Sequence, residues 1–249
     1  MQEQPVELEG EEGRLRGQLF TAGVRAPLVV VFRGVAFARP NPVDPGYRGL
    51  ARDIAEAGFA VLFVSFRGTD DSPGFFSMQG WERDAQVVME HAFTLGFDRM
   101  GLVGASAGGA TALRYAAQEG GIDAVATLAS PGLLAQTTPR SSMPDFMSQV
   151  RKGSMSDASS APVVPPDDFY ADLVAHDPYP VIGRISPIPL LLMQGDADHY
   201  VSVGTAQRLF EAAREPKELV IIPGAGHVLR KSDTALATLK QWLKQTLGG

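Results

Sequence analysis

The chain has 249 residues, 45% of them hydrophobic and 20% charged, which is enough apolar material for one large soluble domain. A net charge of −6 argues against a nucleic-acid binder, whose surface is usually basic. With no cysteine, disulfides, thiolate metal sites and a cysteine nucleophile are all excluded.

The elements alternate between short apolar runs and amphipathic stretches, the signature of an α/β chain with a mostly parallel sheet. Val6 to Glu9 and Arg14 to Phe20 predict an opening hairpin around Glu11-Glu12-Gly13. Pro27 to Phe32 is a continuous apolar run, as expected of a strand buried on both faces. Tyr47, Leu50 and Ile54 share one helical face, and that segment ends at Gly58. A second buried strand is predicted over Ala60–Val64, followed by a helix whose apolar face carries Trp81, Ala85, Val88, Met89 and Ala92. Met100–Val103 predicts the next strand, Ala107–Gln118 a helix, and Ala124–Leu128 another strand. Leu190–Met193 and Leu219–Ile222 complete eight strands. Between them runs a helix with Val203, Ala206, Phe210 and Ala213, and after them one capped by Ser232 with Leu236, Leu239, Leu243 and Leu247.

One stretch breaks this rhythm. Residues 132–186 are rich in Ser, Pro and Asp yet contain Met143, Phe146, Met147, Met155, Phe169, Tyr170 and Tyr179. A long irregular segment of this kind predicts a small lid inserted in a single domain spanning 1–249, with Met143, Phe146 and Met147 as candidate substrate contacts. No apolar run approaches the roughly 18 residues of a membrane span, and the acidic start Met1-Gln2-Glu3-Gln4-Pro5 does not read as a signal peptide. The expected location is cytoplasmic. Oligomeric state is not readable from these features.

Gly104-Ala105-Ser106-Ala107-Gly108 matches G-x-S-x-G, a weak pattern alone, but Ser106 falls at the junction of a predicted strand and a predicted helix. A serine hydroxyl needs a base to remove its proton. Of the four histidines, His91 lies in a helix, His176 in the insertion and His199 beside Asp198. His227, in Pro223-Gly224-Ala225-Gly226-His227, follows a strand on a loop and is the expected base. No H-x-x-H pair exists, so neither a metal nor another cofactor is expected. Two carboxylates compete to orient His227; Asp198, further along its loop, is preferred, and Asp196 is expected to serve the turn. The oxyanion donors are expected to be the backbone N–H groups of Val35 and Ala107.

At these residues the chain resembles the α/β-hydrolase family over nearly its whole length. Phe32-Arg33-Gly34-Val35 looks like the family's His-Gly-x oxyanion turn, and Ser65 to Gly74 is similar to its D-x-R-G-x-G-x-S-x-G stretch. Arg33 replaces the usual histidine, while Ser65 and Thr69 replace Asp and Gly. Arg33 therefore stands as a candidate anion contact or as half of an ion pair with Asp70 or Asp71. The likeness is to small-lidded acyl esterases, including the feruloyl esterase-like group, and to single-domain serine aminopeptidase-like hydrolases. It implies a serine hydrolase acting on a small-molecule carboxylic ester through an acyl-enzyme. Peptide, amide or thioester cleavage and a catalytically silent binding protein are the alternatives.

Overall fold

The computed structural model describes residues 1–21, 26–37, 43–153 and 164–248. In chain order these form β1 (Gln2–Gly10), β2 (Gly13–Thr21), β3 (Leu28–Phe32), α1 (Gly46–Glu56), β4 (Ala60–Ser65), α2 (Met78–Thr94), β5 (Met100–Ala105), α3 (Ala107–Gln118) and β6 (Ala124–Leu128). Then follow α4 (Leu134–Thr137), α5 (Met143–Gly153), α6 (Pro166–Ala175), β7 (Leu190–Gly195), α7 (Val203–Ala212), β8 (Lys217–Ile222) and α8 (Asp233–Leu247).

The eight strands make one sheet in the order β1-β2-β4-β3-β5-β6-β7-β8. The β1–β2 and β2–β4 pairs are antiparallel, and every pair from β4 onward is parallel. β3 to β7 are buried along their whole lengths, which explains their unbroken apolar runs. Successive residues of β3 serve opposite cores. Leu28, Val30 and Phe32 join Trp81, Val88 and Met89 of α2 and Leu113 of α3 on one face. Val29 and Val31 join Leu50 and Ile54 of α1 and Leu239, Trp242 and Leu243 of α8 on the other. Chain reversals are also sequence-coded: Ser77, Ser202 and Ser232 accept from Gly80, Thr205 and Ala235 N–H at 3.0, 3.2 and 3.3 Å, starting α2, α7 and α8.

The hairpin strands are longer than their apolar pattern predicts, because backbone pairing continues through the exposed Gln2–Pro5. A buried ion pair ties this hairpin to the sheet. The Arg67 guanidinium donates to both Asp84 oxygens at 2.8–3.1 Å and reaches Glu12 at 2.9 Å and Glu11 at 3.2 Å. Asp84 also accepts the Arg67 N–H at 2.7 Å, while Trp81 Nε1 donates to the Arg67 carbonyl at 3.1 Å. Arg67 and Asp84 side chains are 4% and 1% exposed, so neither charge has water to fall back on.

The segment between β6 and β7 is more ordered than the irregular lid its composition suggested. It carries α4, α5, α6 and a 3₁₀ turn at Ile182–Arg184, and carboxylates fasten it down; Met155 lies outside the described residues. Asp172 in α6 accepts from Met78 and Gln79 N–H at 2.6 and 3.1 Å, satisfying the open first turn of α2. Buried Asp177 accepts from Leu133, Leu134 and Tyr179 N–H at 3.0, 2.6 and 2.9 Å. His176 Nδ1 stands 2.8 Å from the Asp172 carbonyl and 3.1 Å from its carboxylate, with Glu82 3.7 Å from Nε2. Asp172, helped by Glu82, outweighs burial and raises the imidazole above its ordinary pKa.

Two outcomes are expected from these anchors. Asp84→Ala should cost about 3–5 kcal/mol in chemical denaturation, because it leaves a buried guanidinium with only the exposed Glu11 and Glu12 as partners; a loss below about 1 kcal/mol would contradict that reading. Protonated His176 contributes stability in full below its unfolded value of about 6.5, and the contribution is lost as pH rises through the higher folded value. The Tm difference between wild type and His176→Gln should therefore be wider at about pH 5.5 than at about pH 9.

Candidate active site

Parallel strands β3, β5, β7 and β8 deliver their following loops to one edge of the sheet, the usual place for a site in open α/β sheets. Ser106 stands between β5 and α3 with φ 51° and ψ −125°, a conformation a serine keeps only when its surroundings enforce it. They do so by close approach. A Cβ on Gly108 would lie 2.1 Å from the Arg33 carbonyl oxygen, and one on Gly104 would lie 2.4 Å from the Gly108 carbonyl oxygen. Gly108 thus lets α3 meet the chain leaving β3, and Gly104 lets α3 meet β5, at backbone contact. Ser106 N–H donates to the Leu128 carbonyl at 2.9 Å, and its own carbonyl accepts from Gly109 at 2.8 Å.

His227 Nε2 lies 3.0 Å from Ser106 Oγ, and His227 Nδ1 lies 2.8 Å from Asp198 Oδ2. A carboxylate only accepts, so Nδ1 carries the proton and Nε2 is free to accept from the serine hydroxyl. Asp198 is held by its own loop: Oδ1 accepts from Tyr200 and Val201 N–H at 2.8 and 3.0 Å, and Oδ2 also accepts from Gln194 Nε2 at 2.8 Å. Burial of the carboxyl favours its neutral form, but His227, these two N–H groups and Gln194 outweigh it and hold the pKa below the ordinary value. Asp196 is spent elsewhere, accepting from Gly224 N–H at 2.6 Å and so stapling the β7 and β8 loops together.

Ala107 begins α3, where backbone N–H groups have no helical partner, and Val35 lines the cavity in front of Ser106. Gly34 between them has no room for a side chain: its Cβ would come 2.8 Å from Tyr47 Oη and 2.9 Å from Ser106 Cβ. The cavity measures about 450 Å³, and its walls include Val35, Phe37, Tyr47, Leu128, Tyr200 and His227.

Arg33 lines the cavity and forms the ion pair with Asp70. It is buried, pairs with Asp70 and not Asp71, donates to the Gly34 carbonyl at 3.1 Å and places its guanidinium 5.2 Å from the Tyr47 ring. Ser65, standing where the family resemblance expects an aspartate, donates to the same Asp70 carboxylate at 2.6 Å. The expected substrate contacts on α5 need correcting. Met143 and Met147 are buried in the core shared by α2 and α3, and neither is among the described residues lining the Ser106 cavity. Phe146 packs against Phe169 and edge-on against Phe37, so it reaches the cavity only through Phe37. An apolar side chain in an amphipathic helix reads the same from sequence whether it faces a core or a ligand.

Several residues at the site were missed by sequence reasoning. Gln194 is a fully buried polar side chain in the apolar run Leu190–Gly195, and that placement was a usable signal. Besides Asp198 it donates to the Val201 carbonyl at 2.9 Å. Asp44, Tyr47, Arg230 and Lys231 carry no motif; they meet only because the loop after β8 folds over the start of α1. Among the described residues, no group of three or more His, Asp or Glu side chains is arranged to hold a metal ion, and no helix is long and apolar enough to cross a membrane.

With this geometry in hand, comparison with known proteins is informative. The sequence model of the prolyl oligopeptidase family matches residues 50–249. The uncharacterized protein Rv2307c of Mycobacterium tuberculosis is 30% identical over 234 residues, covering 89% of this chain and 71% of that protein. Among solved structures, the Pyrococcus furiosus esterase Pf2001 superposes with a TM-score of 0.72 at 19% identity, covering 99% of this chain and 94% of that one. Est1E of Butyrivibrio proteoclasticus, solved with ferulic acid, gives 0.72 at 17% identity over 97% of this chain and 98% of its own. Those two likenesses establish the α/β-hydrolase fold. Taken with the sequence match, the chain belongs to the prolyl oligopeptidase family of α/β-hydrolases.

Proposed function

We propose that this protein hydrolyses carboxylic esters through an acyl-enzyme on Ser106. The observation that carries the reading is the continuous hydrogen-bonded line Ser106–His227–Asp198, with the base in the tautomer that accepts from serine. His227 removes the Ser106 proton as Oγ attacks the carbonyl carbon. Negative charge then gathers on the former carbonyl oxygen, opposite the N–H groups of Val35 and Ala107. His227 returns the proton to the leaving alcohol oxygen, and the acyl group remains on Ser106. Water then gives a proton to His227 as its oxygen attacks the acyl carbon, and collapse releases the acid while His227 returns that proton to Ser106 Oγ. Asp198 stays ionised throughout and stabilises the imidazolium.

The assignment of an ester substrate takes support from the Pf2001 esterase, from Est1E with its bound ferulic acid, and from a cavity sized for a small molecule. A second reading, peptide or amide cleavage, is favoured by the family match itself and uses the same groups. Paired p-nitrophenyl butyrate and p-nitroanilide substrates separate the two.

Ser106→Ala should reduce p-nitrophenyl butyrate hydrolysis by about 10⁴-fold or more and abolish fluorophosphonate labelling. Equal rates in wild type and variant, with no labelling of either, would leave a silent binding protein. Asp198→Asn should lower kcat by about 10⁴-fold, because the amide reverses the tautomer that Nδ1 must hold. Asp196→Asn should cost less than about 10-fold. The opposite ranking would place the acid at Asp196.

A further inference from the structure

Beyond Ser106 the cavity wall is charged, in a pattern that the proposed chemistry does not use. Arg33, Arg230 and Lys231 line it together with Asp44 and Asp70. Arg33 and Asp70 form one pair and cancel. Asp44 pairs with the other two cations, and Asp53 lines the adjoining cleft with them. Asp44 Oδ1 accepts from Arg230 at 2.7 Å and from Gly46 N–H at 2.9 Å; its Oδ2 accepts from Arg230 at 2.9 Å and from Lys231 at 2.7 Å. Arg230, Lys231 and the Gly46 N–H hold the Asp44 carboxyl far below the usual carboxylate range, so it stays charged and occupied. Among the described residues lining this cavity, the three cations outnumber the two carboxylates by one, on a chain whose total charge is −6.

The donors themselves are not used up. Lys231 is 59% exposed and spends one interaction on Asp44, and Arg230 Nε is buried with no partner among the described residues. The Arg230 side chain is largely buried. Buried Leu229 roots the turn that carries both cations, and the Tyr47 ring lies between the guanidiniums of Arg33 and Arg230, at 5.2 and 5.4 Å.

Their position fixes which part of the substrate they meet. His227 must reach the leaving oxygen, and Val228 to Lys231 continue from it along the same wall. We infer that Arg230 and Lys231 form an anion subsite for the leaving group, so that the favoured substrates are esters whose alcohol portion carries a carboxylate or a phosphate. The inference deepens the ester-hydrolase reading and rests on it for the placement of the leaving oxygen.

The test compares three acetyl esters at low ionic strength: p-acetoxybenzoate, p-acetoxyphenyl phosphate and the neutral methyl p-acetoxybenzoate. Wild type should show a lower KM for at least one anionic ester, and the better of the two identifies the anion. Lys231→Met should reduce the anionic-to-neutral ratio of kcat/KM by about 5-fold, and Lys231→Arg should restore it. A ratio that Lys231→Met leaves unchanged would overturn the subsite. If no ester is cleaved by wild type, the ester reading fails separately. Calorimetric titration of p-hydroxybenzoate and p-hydroxyphenyl phosphate into Ser106→Ala then decides the subsite. Saturable binding that Lys231→Met weakens by about 5-fold sustains it, and no binding overturns it.

Discussion

A serine at φ 51° survives only where two backbones touch, and the rest of the site is arranged around that contact. α3 can meet the chain leaving β3 because Gly108 presents nothing to the Arg33 carbonyl. The same contact brings the turn at Gly34 and the start of α3 together at Ser106. Strain of this kind costs of order 1–3 kcal/mol, and only a strand buried on both faces together with a buried helix holds the chain firmly enough to sustain it. The unbroken apolar runs of β3, β5 and β6 are therefore part of how the hydroxyl is aimed, as well as what fills the core.

Much of this was legible in the chain because local patterns and local geometry agree. Buried strands read as apolar runs, helices as apolar stripes ending at Gly58 and Gly96, and Ser106 as the junction between the two kinds. Asp198 and His227 could be singled out because each follows a strand on a short loop. What sequence reasoning could not supply were meetings between distant segments. Asp44 and Arg230 are 186 positions apart, and nothing near either residue announces the other. Arg33 left two readings open because its partner is decided by the path of the chain at Asp70, where φ is 45°. Met143 and Met147 were misplaced for a different reason: composition reports that a side chain is apolar, while only packing reports what it faces.

The segment between β6 and β7 shows how polar residues can order a stretch whose composition looks loose. Asp172 and Asp177 satisfy backbone N–H groups that would otherwise be open, and each joins the segment to the body of the domain or to itself. Carboxylates placed at helix starts gain from the dipole as well as the hydrogen bond. Two of the aspartates whose composition made the segment read as irregular, Asp172 and Asp177, help to secure its described part.

The Asp198 loop carries a consequence for turnover. Tyr200 and Val201 N–H groups and the Gln194 amide already point at the carboxylate before any substrate arrives. In the proposed reaction positive charge develops on His227, and the dipoles that sustain its counter-ion need not rotate. Solvent around a free carboxylate would have to reorganise at that moment, and here the reorganisation was completed when the chain folded.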